Sequence, residues 1–261
     1  MAAWTDRIAA TLRRWDAEAR VEGEGDGRAI VVVLIATLCL LMLHFVVLDH
    51  VVQRELAEAL IRLAPGWMGL DPVRHQPLME GVVWSLGCGF FYVAIPATFV
   101  RAIWREPMSA YGFTFRGYLA HLHWYALLFV PVGLMVIAVS LQPSFQDKYP
   151  FYREAKGAAD LAVWEVAYGA QFIFLEYFFR GFLIHGLKRR LGIYGVFLMI
   201  TPYMMIHFGK PMLEATGAIV AGTILGFLSL RTGSVFGGAT IHILVAISMD
   251  LMALFRKGFF Q

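Results

Sequence analysis

Runs of about 20 apolar residues, closed by charged or proline-bearing segments, dominate the chain. Seven stand out: Ala29–Val52, Gly81–Val100, Leu122–Leu141, Leu161–Phe179, Gly192–Phe208, Ala215–Leu230 and Val235–Phe255. At 1.5 Å of rise per residue, a helix of about 20 residues crosses a hydrocarbon core roughly 30 Å thick. Lipid offers backbone N–H and C=O groups no partner, so such runs become helices that satisfy their own hydrogen bonds. The pattern predicts an all-α, polytopic transmembrane bundle of about seven to eight membrane helices.

The segments between the runs read differently. Trp4, Ile8, Leu12 and Trp15 are spaced by three and four, which predicts an amphipathic helix over residues 3–21 lying on the membrane surface. Six acids lie among five arginines in the first 28 residues, and no short apolar stretch with a small-residue cleavage site follows, unlike a cleavable signal. Glu22–Gly27 alternates acids with glycine and predicts a flexible linker. The expected organisation is therefore a surface helix and linker over 1–28, then an integral membrane domain over 29–261. Arg54–Glu80 carries Pro65, Pro72 and Pro77 and predicts a short interfacial helix and a loop. Tyr149–Arg153 is a proline-marked aromatic segment of the kind that anchors proteins at headgroup level.

Composition narrows the class. Hydrophobic residues make up 59% of the chain and charged residues 16%, against roughly 45–50% and about 25% in soluble proteins. The two cysteines, Cys39 and Cys88, sit inside apolar runs and read as buried thiols rather than a disulfide framework. The net charge is only +3 and the basic residues are scattered at the ends of runs, which gives nucleic-acid binding no support. With the N-terminus inside, 13 Lys and Arg fall on the inner side against nine outside, a lean toward a cytoplasmic N-terminus.

The chemistry concentrates in the C-terminal half, at about 160–255. An ionisable side chain inside the membrane costs about 2.5–3.5 kcal/mol on insertion scales and persists where it is paired, hydrated or functional. Glu176 and Arg180 are four apart, share a helix face and can form an ion pair. His207 closes one apolar run and His242 lies within the last. One Glu and two His on separate helices suit a peptidase with a water nucleophile. Glu176 would act as general base, His207 would orient the water, and His242 would donate to the oxyanion. The sequence lacks His-Glu-x-x-His, so a zinc protease has no motif support. Only Asp250 lies at a depth suited to an aspartyl mechanism, and Ser234 sits in an Arg-Thr-Gly-Ser turn. Glu165 lies about three turns before Glu176 on a similar face.

These residues resemble the CPBP family, the CAAX prenyl protease and bacteriocin-processing family of intramembrane glutamic peptidases. Its hallmarks are Glu-Glu-x-x-x-Arg, Phe-x-x-x-His and His-x-x-x-Asn. They are matched by Leu175-Glu176-Tyr-Phe-Phe-Arg180, Tyr203-Met-Met-Ile-His207 and His242-Ile-Leu-Val-Ala246. Leu175 stands where the family has its first Glu and Ala246 where it has Asn. The single-Glu form resembles bacterial branches that process C-terminal sorting tails.

The resemblance implies catalytic Glu176, His207 and His242, with Arg180, Tyr203 and Asp250 in support. It further implies no metal or other cofactor, a membrane-anchored protein or peptide as substrate, and a multi-pass location in a bacterial cytoplasmic membrane. Leu175 and Ala246 also keep open a second reading, a non-catalytic membrane scaffold or immunity-type protein that binds a partner. In helix packing, Gly217/Ala221 and Gly222/Gly226 form two small-xxx-small pairs that predict close backbone approach.

Overall fold

A computed structural model of the chain describes residues 2–19, 26–153, 155 and 157–258. Residues 22–25 of the expected acidic linker and the side chain of Trp4 lie outside the described residues. Those described form helices joined by turns, with no strand among them. In chain order the main helices are α1 (Ala2–Ala19), α2 (Gly27–Val47), α3 (His50–Leu63), α4 (Gln76–Ile103), α5 (Leu122–Val139), α6 (Ala158–Leu191), α7 (Tyr194–Met205), α8 (Met212–Thr232) and α9 (Phe236–Arg256).

Six of these, α2, α4, α5, α6, α8 and α9, are long and apolar enough to cross a membrane. The expected count of seven to eight is met by six plus a shorter apolar helix, because the run 192–208 folds into only 12 helical residues. A local cause sets the start of α7. Gly192 adopts φ 55° and ψ −131°, a conformation that side chains disfavour, and breaks the chain away from α6. Pro202 lies inside the helix, which continues to Met205.

The chain forms two compact units: residues 1–37, 96–122 and 176–238 make the first, and 38–95, 123–175 and 239–261 the second. Lipid tails are as apolar as leucine, so close packing and satisfied polar groups hold such helices together. In the first unit the centre is the stretch Tyr177–His185 of α6, where the helix widens into π geometry and all nine residues are buried. Gly226 of α8 lies where a Cβ would come within 2.7 Å of Val196 and 3.2 Å of Ile184, so α8 packs backbone-close against α7 and α6. Gly222 does the same against Tyr203, whereas Gly217 faces open space. Only one of the two small-residue pairs serves close packing through both its glycines.

A loop from 104 to 117 closes this unit. Gly112, at φ 76°, accepts a hydrogen bond from Val235 N at 2.9 Å, and Ser234 Oγ donates to Thr114 O at 2.6 Å. Phe115 stacks on Phe236 with ring centroids 4.0 Å apart. Ser234 is thus a buried turn residue. α1 rests on the same unit: Asp16 Oδ1 accepts from Ile193 N at 3.2 Å, and Trp15 meets Phe227.

The second unit is organised by aromatic packing. Trp164 of α6 stacks on Trp84 and Tyr152, Tyr168 on Trp164, and Phe172 on His242. Ser85 Oγ donates to Ala167 O at 2.6 Å, tying α4 to α6. Asp49 caps α3 by accepting from Val51 N and Val52 N. Cys39 and Cys88 are buried free thiols.

Candidate active site

Glu176 is the last residue before the π segment of α6, and Arg180 lies within it. Both are buried, at 1% and 0% exposure, with Arg180 Nη1 3.0 Å from Glu176 Oε1. Their shared helix face makes the pair, and their burial makes it consequential: removing one partner of a buried ion pair costs about 3–5 kcal/mol.

Three further elements of the first unit shape the pair. From α7, the Tyr203 ring lies under the Arg180 guanidinium, 4.0 Å from centroid to Cζ. A desolvated contact of this kind contributes about 2 kcal/mol. Gly222 of α8 leaves room for both partners: a Cβ there would lie 3.0 Å from the Tyr203 ring and 3.5 Å from Arg180 Nη2. The Glu176 carboxylate rests against Gly238 in the first turn of α9, where a methyl group would overlap Oε2. Gly238 is not among the residues with positive φ, so space, not backbone conformation, requires glycine there.

His207 follows α7 by two residues, its ring centroid 4.7 Å from that of Tyr203. Its Nδ1 lies 2.8 Å from Tyr203 O. A carbonyl oxygen only accepts, so Nδ1 carries the proton, and in the neutral ring Nε2 keeps the lone pair. A nitrogen in that state accepts a hydrogen bond from water. Glu176, Arg180, Tyr203 and His207 therefore form one connected cluster in the first unit.

The other expected residues belong to the second unit. His242 is half-buried, and its ring stacks on Phe172 at 5.7 Å. Asp250, fully buried two turns further along α9, accepts from Phe151 N at 3.1 Å and from Trp164 Nε1 at 3.3 Å. These bonds fasten the Tyr149–Arg153 segment to α9. The carboxylate oxygens of Glu165 are buried and have no hydrogen-bond partner among the described residues. No group of three or more His, Cys, Asp and Glu side chains among the described residues gathers as a metal-ligand set. Gly238 and the π segment were invisible to motif reasoning. The glycine is 62 residues from the carboxylate it accommodates, and its only local signal is the Gly237-Gly238 pair opening an apolar run.

Comparison with known proteins places this geometry. Residues 158–248, about a third of the chain, match the family model described as Type II CAAX prenyl endopeptidase Rce1-like. No curated protein and no solved structure matches the chain. The matched segment spans α6, α7, α8 and the first half of α9, and so contains Glu176, Arg180, Tyr203, His207 and His242. Together with six helices able to span a bilayer, the match makes this a multi-pass membrane protein. Over residues 158–248 the chain is therefore similar to the Type II CAAX prenyl endopeptidase Rce1-like family.

Proposed function

We propose that the protein is an intramembrane endopeptidase that hydrolyses a peptide bond of a membrane-anchored protein or peptide with Glu176 as general base. The observation that carries this reading is the buried Glu176–Arg180 pair, set against Gly238 and over the Tyr203 ring within the matched segment. A charge pair at membrane depth is costly, and one shaped by three further elements at close quarters supports function over packing.

In this mechanism Glu176 takes a proton from a water whose hydrogen bond to His207 Nε2 orients it. The resulting hydroxide attacks the scissile carbonyl carbon. Collapse of the tetrahedral oxyanion breaks the C–N bond, and Glu176 returns its proton to the leaving amine. Arg180 supplies the countercharge and holds the carboxylate in place. His242 is assigned the oxyanion donor from the sequence pattern, because one such donor contributes about 10²–10³-fold. The proposal uses no metal or other cofactor, and the family resemblance extends it to a bacterial cytoplasmic membrane.

The test is cleavage by the purified full chain in detergent of two tagged membrane peptides, one prenylated at a C-terminal CAAX box and one anchored by a transmembrane tail. Wild type is expected to cut at least one. Glu176→Gln should lower the rate about 10²–10⁴-fold and His242→Ala about 10²–10³-fold, with helical content unchanged. Full activity of Glu176→Gln sinks the glutamic mechanism. No cleavage of either peptide by folded wild type turns the reading to a partner-binding scaffold.

A further inference from the structure

Away from the Glu176 site, the first unit holds a second cluster of charge. Arg28 at the start of α2 pairs with Glu106 through both guanidinium nitrogens, one at 2.9 Å, and also donates to Tyr111. Tyr111 Oη donates to Glu106 Oε2 at 2.8 Å, and the Arg28 guanidinium lies 4.5 Å over the Trp104 ring. Arg189 Nη2 approaches Glu106 at 3.8 Å from the last turn of α6. Lys188 Nζ stands 3.4 Å from His185 Nδ1, and His185 Nε2 is 3.1 Å from Ser229 Oγ.

These groups line a partly open cavity of about 50 Å³, bounded by Arg28, Glu106, Tyr111, His185, Lys188 and Arg189 with small residues between them. One water needs about 10–15 Å³ of such space, so the cavity has room for a small polyatomic group. Three cations against one carboxylate give the lining a net charge of at least +2, with Glu106 already committed to Arg28. The buried Nε of Arg28 has no hydrogen-bond partner among the described residues. An anion with several acceptor oxygens fits that lining, since a guanidinium and an ammonium together suit phosphate.

The position of the cavity says where the anion comes from. Arg28 opens the apolar span of α2, Glu106 follows that of α4 by three residues, and Lys188–Arg189 close that of α6. Three membrane spans thus end at one cavity, at the depth of lipid headgroups. The same three segments fall on the side that the Lys and Arg bias assigns to the cytoplasm. Anionic lipids enrich that leaflet, and clustered basic residues beside spans recognise their headgroups.

We propose that this cavity binds a phosphate group, supplied in the membrane by the headgroup of an anionic phospholipid. Lys188 and Arg189 provide the charge, and the Arg28–Glu106–Tyr111 network fixes the wall they face. The site is independent of the peptidase reading.

The test uses the delipidated full chain in neutral detergent. It measures the rise in thermal midpoint on titration with short-chain phosphatidylglycerol, short-chain diacylglycerol and inorganic phosphate, since a ligand that binds only the folded state stabilises it in proportion to the logarithm of its concentration over Kd. Phosphatidylglycerol should stabilise wild type and diacylglycerol should not. The double variant Lys188→Gln/Arg189→Gln should weaken apparent affinity at least tenfold, and Lys188→Arg, which keeps the charge, should restore most of it in the single-site comparison with Lys188→Gln. Arg190→Gln removes a cation from the exposed side of the same helix, outside the cavity, and should change affinity less than twofold. Inorganic phosphate that binds as tightly and competes would name free phosphate as the source and overturn the lipid assignment. Equal losses in Arg190→Gln and the double variant, stabilisation by diacylglycerol, or no response of wild type to either phosphate probe would overturn the site.

Discussion

Two guanidinium–carboxylate pairs in the first unit have the same chemistry and different surroundings. Glu176–Arg180 is buried to the last atom, while the side chains of Arg28 and Glu106 are 20% and 23% exposed. The inner pair has given up nearly all its hydration, and its mutual attraction must offset that loss. The outer pair keeps water on one side, where ion pairs contribute about 0–1 kcal/mol. Their partners differ accordingly. Both arginines lie over an aromatic ring, but the inner pair also has a glycine against Glu176, which is a mould for one geometry. The outer pair has a phenol and two more cations beside it, which leaves surplus charge facing a cavity. A pair kept at high cost in a tight mould supports the proposed chemistry at that spot, whereas a pair at the rim with excess charge supports the proposed anion site.

The largest effect should come from cutting the inner pair. Arg180→Ala leaves Glu176 buried without its countercharge and removes the cation over Tyr203, a loss of about 3–5 kcal/mol in stability. Arg28→Ala at the outer pair should cost about 1 kcal/mol. Thermal unfolding of both variants in the same detergent measures the gap. Equal losses would mean that burial does not separate the pairs.

Next in size is Gly238→Ala. Alanine is a better helix former than glycine by about 1 kcal/mol, so in an empty site the change would hold or raise stability. Here the methyl group overlaps the Glu176 carboxylate and must displace it. Peptidase activity should fall about 10- to 100-fold, or about 1.4–2.7 kcal/mol in the barrier, and stability by about 1–3 kcal/mol, less than in Arg180→Ala. The effect should appear in kcat more than in KM, because the substrate-binding surfaces are untouched. Unchanged activity would show that the carboxylate position is not what matters.

How much of this the sequence carried depends on the range of the interaction. The Glu176–Arg180 pair is legible because its partners are four apart in a helix, and the spans are legible because hydropathy acts over 20 residues at a time. The run 192–208 misleads for the same reason: its hydropathy outweighs Gly192, whose backbone breaks the chain before the 12 residues of α7. Gly222/Gly226 and Gly217/Ala221 read alike, and only the packed structure separates the pair that meets Tyr203 and Val196 from the glycine that meets nothing. The contacts of Gly238 with Glu176, and of Arg28 with Glu106, join residues 62 and 78 apart, so no local pattern encodes them. The family resemblance adds the expectation that Glu176, His207 and His242 act together, which spacing alone does not give.

The smallest effect is the acid response of the outer pair. Burial alone would push the Glu106 carboxyl up, but hydrogen bonds from Arg28 and Tyr111 and the charges of Arg28 and Arg189 outweigh it and hold the carboxyl below the usual carboxylate range. A group whose folded value is depressed contributes stability that is fully present above its unfolded value, about 4.3 for Glu, and is lost as pH falls through the folded value. The difference in thermal midpoint between wild type and Glu106→Gln should therefore be constant above about pH 5 and shrink toward zero as pH drops below about 4. Taking the difference cancels the acid sensitivity of every other carboxylate that the two proteins share. Its plateau should correspond to about 1 kcal/mol or less, as expected of a pair that keeps water on one side. A plateau several times larger would place the outer pair in the same energetic class as Glu176–Arg180. A difference that grew on acidification would reverse the sign required of a depressed carboxyl and dissolve the Arg28–Glu106 pairing itself.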